Sequence, residues 1–324
     1  MSNRSLPSRL AARKTASRDH GERFTLAVLN TALFFALTLA ANAQPPPPPA
    51  DPEVEWICPM DKDIRSNGPG FCPRCGMKLV PGIPEAIEFP VQIIPYPRVL
   101  KPGQDTQLDF RIFDPRTGKQ VRDFEIVHDK FFHLFVVSQD TTFFAHQHPE
   151  LLPDGSFRFH LKFPKPAAYR ILCDFYPTGA TPQLISNTLI VPGQGFHLSP
   201  ASLTPNLAPQ HAANLDVELV TEPAQPIAGA LTLMFFRLKP DDGIEQYLSA
   251  WGHMMAASWD LIDMIHTHPI YVTDPAPSSE GGAYKQVQFN LIFPRAGIYR
   301  LWVQFQRKGV VNTVTFDVPV SELK

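Results

Sequence analysis

HLFVVSQDTTFFAHQHP, residues 133–149, returns as HMMAASWDLIDMIHTHP at residues 253–269. Both stretches read H-x12-H-x-H-P with an aspartate in the middle, and they stand 120 residues apart. Downstream, Phe157, Phe159, Leu161 and Phe163 match Val287, Phe289, Leu291 and Phe293 at an offset of 130. Tyr169-Arg170 then matches Tyr299-Arg300 at the same offset. An insert from Thr273 to Gly282 accounts for the ten extra residues. The chain therefore carries two copies of one unit, and the fold of that unit decides the fold of most of the protein.

Strand signals dominate both copies. Leu108, Phe110 and Ile112 alternate with Asp109 and Arg111, and Tyr169, Ile171, Cys173 and Phe175 alternate with Arg170, Leu172 and Asp174. Pro-Gly and Asp-Gly turns separate the runs, and no stretch beyond the N-terminal apolar run has helical periodicity. The expectation is an all-β protein: a small Cys/Met metal knuckle followed by two tandem immunoglobulin-like or cupredoxin-like β-sandwiches. The expected boundaries are 56–83 for the knuckle, 86–192 for the first sandwich, 193–213 for a Pro/Ala-rich linker and 214–320 for the second sandwich. Cys173 takes the place of Val303 on the core face and reads as an inert buried thiol.

Each H-x12-H-x-H stretch predicts a hairpin. With a four-residue loop at 138–141 and 258–261, His133 faces His146 and Phe135 faces Phe144. His148 shares the face of His146, because strand side chains alternate with period two. Three imidazoles thus gather on one face of each copy: His133, His146 and His148 in the first, His253, His266 and His268 in the second. Phe135 and Phe144 become Met255 and Met264, which puts two thioethers on the second histidine face. Three histidines suit Cu(II) or Zn(II), and added thioethers suit copper in either oxidation state. The competing readings are core histidines tied into hydrogen bonds and methionines that fill apolar gaps.

The N-terminus reads as an export signal. Arg4, Arg9, Arg13, Lys14, Arg18 and Arg23 precede an uncharged apolar run, Phe24 to Ala43, that ends in Ala41-Asn42-Ala43. Residues 1–43 are the expected signal peptide, cleaved after Ala43 into a periplasmic or secreted protein. The alternative is an uncleaved membrane anchor, since the run is long enough to span a bilayer. Residues 44–55 open with Pro45–Pro49, a stiff spacer.

Of four cysteines, Cys58, Cys72 and Cys75 sit within eighteen residues. That clustering favours a local metal site over a disulfide framework. Cys72-Pro73-Arg74-Cys75 is a C-x-x-C turn that aims two thiolates at one ion, and Cys58 heads a half-turn with Met60 where a second cysteine would stand. Met60 and Met77 add soft thioethers. Soft donors favour Cu(I), with zinc as the alternative. The segment Cys58-Pro59-Met60, Gly68-Pro69-Gly70, Cys72-Pro73-Arg74-Cys75-Gly76-Met77 to Val80-Pro81 resembles the short heavy-metal-binding domain found beside copper-transporting P-type ATPases and copper/silver efflux adaptors. The repeat more loosely resembles exported β domains that accompany this knuckle. The resemblance implies copper and a metal efflux or transport partner. One departure matters: the family has His-Pro after the methionine, and this chain has Asp61-Lys62, so a donor is expected to be missing. A structural zinc knuckle and a Cys72–Cys75 disulfide are the competing readings.

The chain has 324 residues, is 44% hydrophobic and 19% charged, and carries a net charge of -2. It can bury real cores, and nothing in its charge favours nucleic acid. The expected function is extracytoplasmic heavy-metal binding, with copper sequestered or delivered to an efflux partner and the membrane touched only through the N-terminal segment. One alternative is a copper-dependent oxidase or monooxygenase-like enzyme, although no cysteine follows a histidine as a multicopper oxidase motif requires. Another is a structural tandem sandwich with a structural zinc knuckle. No catalytic residue is singled out.

Overall fold

The computed structural model describes residues 56–61, 64–82, 87–198, 200–276 and 284–323. The expected signal peptide and proline spacer lie outside the described residues. The knuckle holds three two-residue strands, β1 (Trp56–Ile57), β2 (Arg65–Ser66) and β3 (Val80–Pro81), in the order β2-β1-β3. The first copy holds β4 (Val91–Tyr96), β5 (Asp105–Ile112), β6 (Phe132–Ser138), β7 (Phe144–Gln147), β8 (Glu150–Leu151), β9 (Phe157–Lys162), β10 (Ala167–Phe175) and β11 (Gln183–Val191). They form two antiparallel sheets, β4-β5-β9-β8 and β11-β10-β6-β7. The second copy holds β12 (Gln210–His211), β13 (Asp216–Glu222), β14 (Leu231–Lys239), β15 (Ile244–Glu245), β16 (His253–Ser258), β17 (Met264–Thr267), β18 (Tyr271–Ala276), β19 (Tyr284–Ile292), β20 (Gly297–Arg307) and β21 (Val310–Val320). Its sheets are β12-β13-β14-β19-β18 and β15-β20-β16-β17, with β21 also paired to β20. No helix occurs among the described residues, and the all-β expectation holds.

Each copy closes its own core. Leu108, Phe110, Phe132, Leu134, Phe157, Tyr169, Ile171 and Cys173 pack together in the first, and Met234, Phe236, Met254, Phe289, Tyr299, Leu301, Val303 and Phe316 in the second. Cys173 is fully buried there, and burial raises its thiol pKa. Strands β6 and β16 are buried at every position, so both of their faces are covered, as a continuous apolar run implies. Even-numbered residues face the core of their own copy. The odd-numbered ones, Phe135 and Val137 against Met255 and Ala257, join Leu172, Leu261 and Trp302 in one apolar cluster shared by the two copies.

The contacts across this shared layer pair equivalent positions. Arg170 Nε donates to the Leu261 carbonyl at 3.2 Å, and Arg300 Nη1 to the Thr141 carbonyl at 3.3 Å. Ser249 Oγ donates to Asp129 Oδ2 at 2.7 Å, so a residue of one copy meets its own counterpart in the other. Only a two-fold relation brings a position against itself. The copies thus meet as an isologous pair built within one chain, inside a single compact unit spanning Pro52–Lys324.

The hairpin register corrects the expected one. Phe135 faces His146 and Val137 faces Phe144; in the second copy Met255 faces His266 and Ala257 faces Met264. Both pairings are shifted by two residues, so the loops are 139–142 and 259–262. The serine before each loop and the aspartate inside it hold this register. Ser138 Oγ donates to Asp140 Oδ1 at 2.6 Å and accepts from Phe143 N–H at 2.9 Å. Ser258 repeats both contacts with Asp260 and Asp263. Thr141 and Leu261 take the left-handed turn conformation that follows. A two-residue shift returns every side chain to the same face, so the histidine faces survive the correction.

Candidate metal centres

The β1 strand and the 68–70 turn fold the knuckle so that its sulfur atoms converge. Cys58 Sγ lies 3.5 Å from Cys75 Sγ, and all three thiols are free. The fourth group is Asp61. Ligand atoms of Cys58, Asp61, Cys72 and Cys75 all lie within 4.8 Å of one another. Asp61 Oδ2 accepts from the Cys72 thiol at 3.3 Å, while Arg74 holds Asp61 Oδ1 at 3.1 Å. The residue expected to leave a gap thus supplies a carboxylate in its place. The backbone N–H of Asp61 reaches Cys58 Sγ at 3.2 Å. Hydrogen bonding from Cys75, then from this N–H, pulls the Cys58 thiol down to about 6, while burial pushes Cys72 up to about 11. Cys75 moves upward too, because it keeps the proton it shares with Cys58. The cluster so holds one thiolate readily, and a cation entering it would draw off the remaining protons. Met60 and Met77 pack against the same cluster with Val127 and Tyr176.

The three histidines of each copy also meet. Ligand nitrogens of His133, His146 and His148 lie within 4.8 Å of one another, as do those of His253, His266 and His268. Hydrogen bonds fix the tautomers. His133 Nε2 can only donate to the Val127 carbonyl, at 3.0 Å, and His146 Nδ1 donates to Gln304 Oε1 at 2.7 Å. Two lone pairs, His133 Nδ1 and His146 Nε2, are then left facing each other at 3.2 Å. In the second copy His253 Nε2 donates to the Tyr247 carbonyl at 2.8 Å, and His266 Nδ1 to Asp174 Oδ2 at 2.6 Å. His253 Nδ1 lies 3.0 Å from His268 Nε2. His148 Nε2 and His266 Nε2 are buried without a hydrogen-bond partner. Two donors about 2.0–2.1 Å from a tetrahedral ion stand about 3.3 Å apart, close to the 3.2 Å between His133 and His146 and the 3.0 Å between His253 and His268. Burial lowers the pKa of all six imidazoles: His133 to about 4, His146 and His148 to about 2, His266 to about 3, and His253 and His268 in the same direction. They are neutral at physiological pH, the form that ligates metal.

The two methionines of the second copy do face the histidine side, but within the shared apolar cluster. Met255 is fully buried beside Phe135, and Met264 packs on the same cluster. The equivalent phenylalanines of the first copy stack there, Phe135 on His146 at 4.2 Å and Phe144 on Trp302 at 4.9 Å. Both thioethers thus pack in the layer shared by the two copies.

Four residues escaped the sequence reading. Asp61 was visible as a departure from the motif. Asp174 and Gln304 occupy equivalent places beside the first histidine of each triad, yet differ in kind, so the repeat did not flag them. His128 stacks on His268 with ring centres 3.7 Å apart; its counterpart in the second copy is Leu248.

Two family models match the chain. A family model described as a heavy metal binding domain matches residues 55–81. One described as a domain of unknown function (DUF8832) matches residues 93–189 and 210–322. Among curated proteins none matches. Similar solved structures include a Corynebacterium diphtheriae protein described as membrane anchored, at 10% identity and TM-score 0.22, covering 76% of this chain and 63% of that one. This chain therefore spans less than two thirds of that protein's length. A tandem of titin Ig domains matches at 10% identity and TM-score 0.16, covering 73% of this chain and 98% of the other.

Proposed function

We propose that this chain, which belongs to the DUF8832 family and carries a heavy metal binding domain ahead of it, is an extracytoplasmic copper-binding protein that sequesters the ion or delivers it to an efflux partner. The observation that carries the reading is the knuckle cluster, three free thiols and a carboxylate with their ligand atoms within 4.8 Å. Thiolates select soft ions, and Cu(I) is satisfied by two or three of them. Asp61 then remains with Arg74 and is not needed as a ligand. Export is supported by the basic N-terminal segment, the apolar run and Ala41-Asn42-Ala43. Delivery is supported by access: a hollow lined by Phe71, Cys75, Met77, Ile126 and Tyr176 opens beside the cluster, and Phe71 and Ile126 are exposed. The histidine triads are the second and third candidate positions, suited to Cu(II) or Zn(II).

The test is metal analysis of protein isolated anaerobically from its native compartment, with cell fractions assayed separately. The expected result is bound copper in the extracytoplasmic fraction, with one equivalent lost when Cys58, Cys72 and Cys75 become serine. Zinc retained at the knuckle with no copper uptake would overturn the copper assignment. A cytoplasmic protein would overturn the export assignment.

A further inference from the structure

The two histidine triads do not lie on separate surfaces. His133 is 6.2 Å from His253 and 5.6 Å from His266 between ring centres, and His146 is 5.5 Å and 5.9 Å from the same two. The same four rings are 5.5 Å (His133–His146) and 5.9 Å (His253–His266) apart inside their triads, and the third ring of each triad lies closer to its own set, at 4.4–4.9 Å. His133, His146, His253 and His266 meet between the copies, with His148 and His268 flanking them in their own triads. Their ligand nitrogens still divide into two sets of three.

The orienting groups cross over. Gln304 of the second copy holds His146 of the first, and Asp174 of the first copy holds His266 of the second. Each of these residues also pairs across the strands with the first histidine of its own triad, Asp174 with His133 and Gln304 with His253. One histidine of each triad is thus oriented from the other copy, while His133 and His253 are held by the Val127 and Tyr247 carbonyls of their own. Partners behind a ligating histidine fix its ring and tautomer and raise its basicity.

We infer that the six histidines form one two-metal centre for borderline transition-metal ions, Cu(II) or Zn(II), assembled at the interface of the two copies. The inference rests on the metal-binding reading of the triads but not on the knuckle or on copper as its cargo. Its two positions are unequal. A carboxylate stands behind His266 where an amide stands behind His146, so the second-copy position is the stronger. The isologous packing of the copies has a function in this arrangement, since neither triad is complete in its orientation without the other copy.

The test is a Cu(II) titration of the full chain carrying Cys58→Ser, Cys72→Ser and Cys75→Ser, followed by electron paramagnetic resonance. Two equivalents should bind, and the second should bring dipolar broadening and a half-field transition. His148→Ala and His268→Ala should each remove one equivalent and restore the spectrum of an isolated ion. Asp174→Asn, a positioning change, should weaken only the second-copy position, by about 10–100-fold. Two equivalents with spectra of isolated ions would overturn the two-metal centre while leaving the triads as metal sites. No binding would overturn both. Should the thiol-free variant fail to fold, anomalous scattering from zinc-loaded wild-type crystals decides the matter. Two peaks among the six histidines support the centre, and one peak or none refutes it.

Discussion

Replacing Met255 and Met264 by leucine separates packing from ligation. Met255 is 1% exposed and sits in the apolar cluster shared by Phe135, Leu172, Leu261 and Trp302. Leucine conserves the volume, so each change should cost less than about 1.5 kcal/mol. Alanine at position 255 removes the side chain from a site that two copies wall in. It should cost about 2–5 kcal/mol, and a mid-range loss of about 3 kcal/mol lowers the melting temperature by about 6–12 °C in a protein of this size. The assay has two arms. Thermal unfolding of the chelator-treated protein reads the packing, and zinc or copper stoichiometry with affinity reads the ligation. If the thioethers only pack, the leucine variant binds metal as the wild type does, and the alanine variant loses stability before metal is added. If they ligate, the leucine variant keeps its apo stability and loses affinity at the second triad. That second pattern would refute the packing role and return both thioethers to the donor set.

Asp61→Ala should distinguish the metals at the knuckle. A zinc ion needs a fourth ligand and should bind at least about 10-fold more weakly without the carboxylate, since even partners behind a ligand are worth about 10–100-fold, whereas Cu(I) on three thiolates should keep its affinity; competition titrations with each ion read the difference, and equal losses would contradict the softness argument. Asp109 offers a pH test away from any metal. Arg158 binds both of its oxygens, at 2.8 and 2.9 Å, and holds its carboxyl below the usual value. A depressed folded value stabilises the protein above pH about 4, and that contribution disappears as pH falls through the folded value. Asp109→Asn should therefore cost about 1 kcal/mol at pH 7, and the gap to wild type should narrow as pH falls below about 4 in urea unfolding; a gap unchanged by acid would refute the ion-pair account.

The sequence alone determined the knuckle, the repeat and the composition of both histidine triads. Each of these is written in local spacing: C-x-x-C places two thiols on one turn, and H-x-H places two imidazoles on one strand face. Period-two alternation also made the triads robust, since the two-residue register error moved no side chain to the other face. That same insensitivity is why the register itself was not legible; it rests on Ser138–Asp140 and Ser258–Asp260 contacts inside the loops. Only the tertiary structure decided that the triads meet between the copies. Asp174 and His266 are 92 residues apart and His146 and Gln304 are 158 apart, with no spacing rule to connect them. It also brought Asp61 beside the three thiols and set the methionines in the layer between the copies. Each of these facts depends on which surfaces meet when the two copies close on each other and the knuckle folds, and alternation along a strand reports only that a face is buried, not against what.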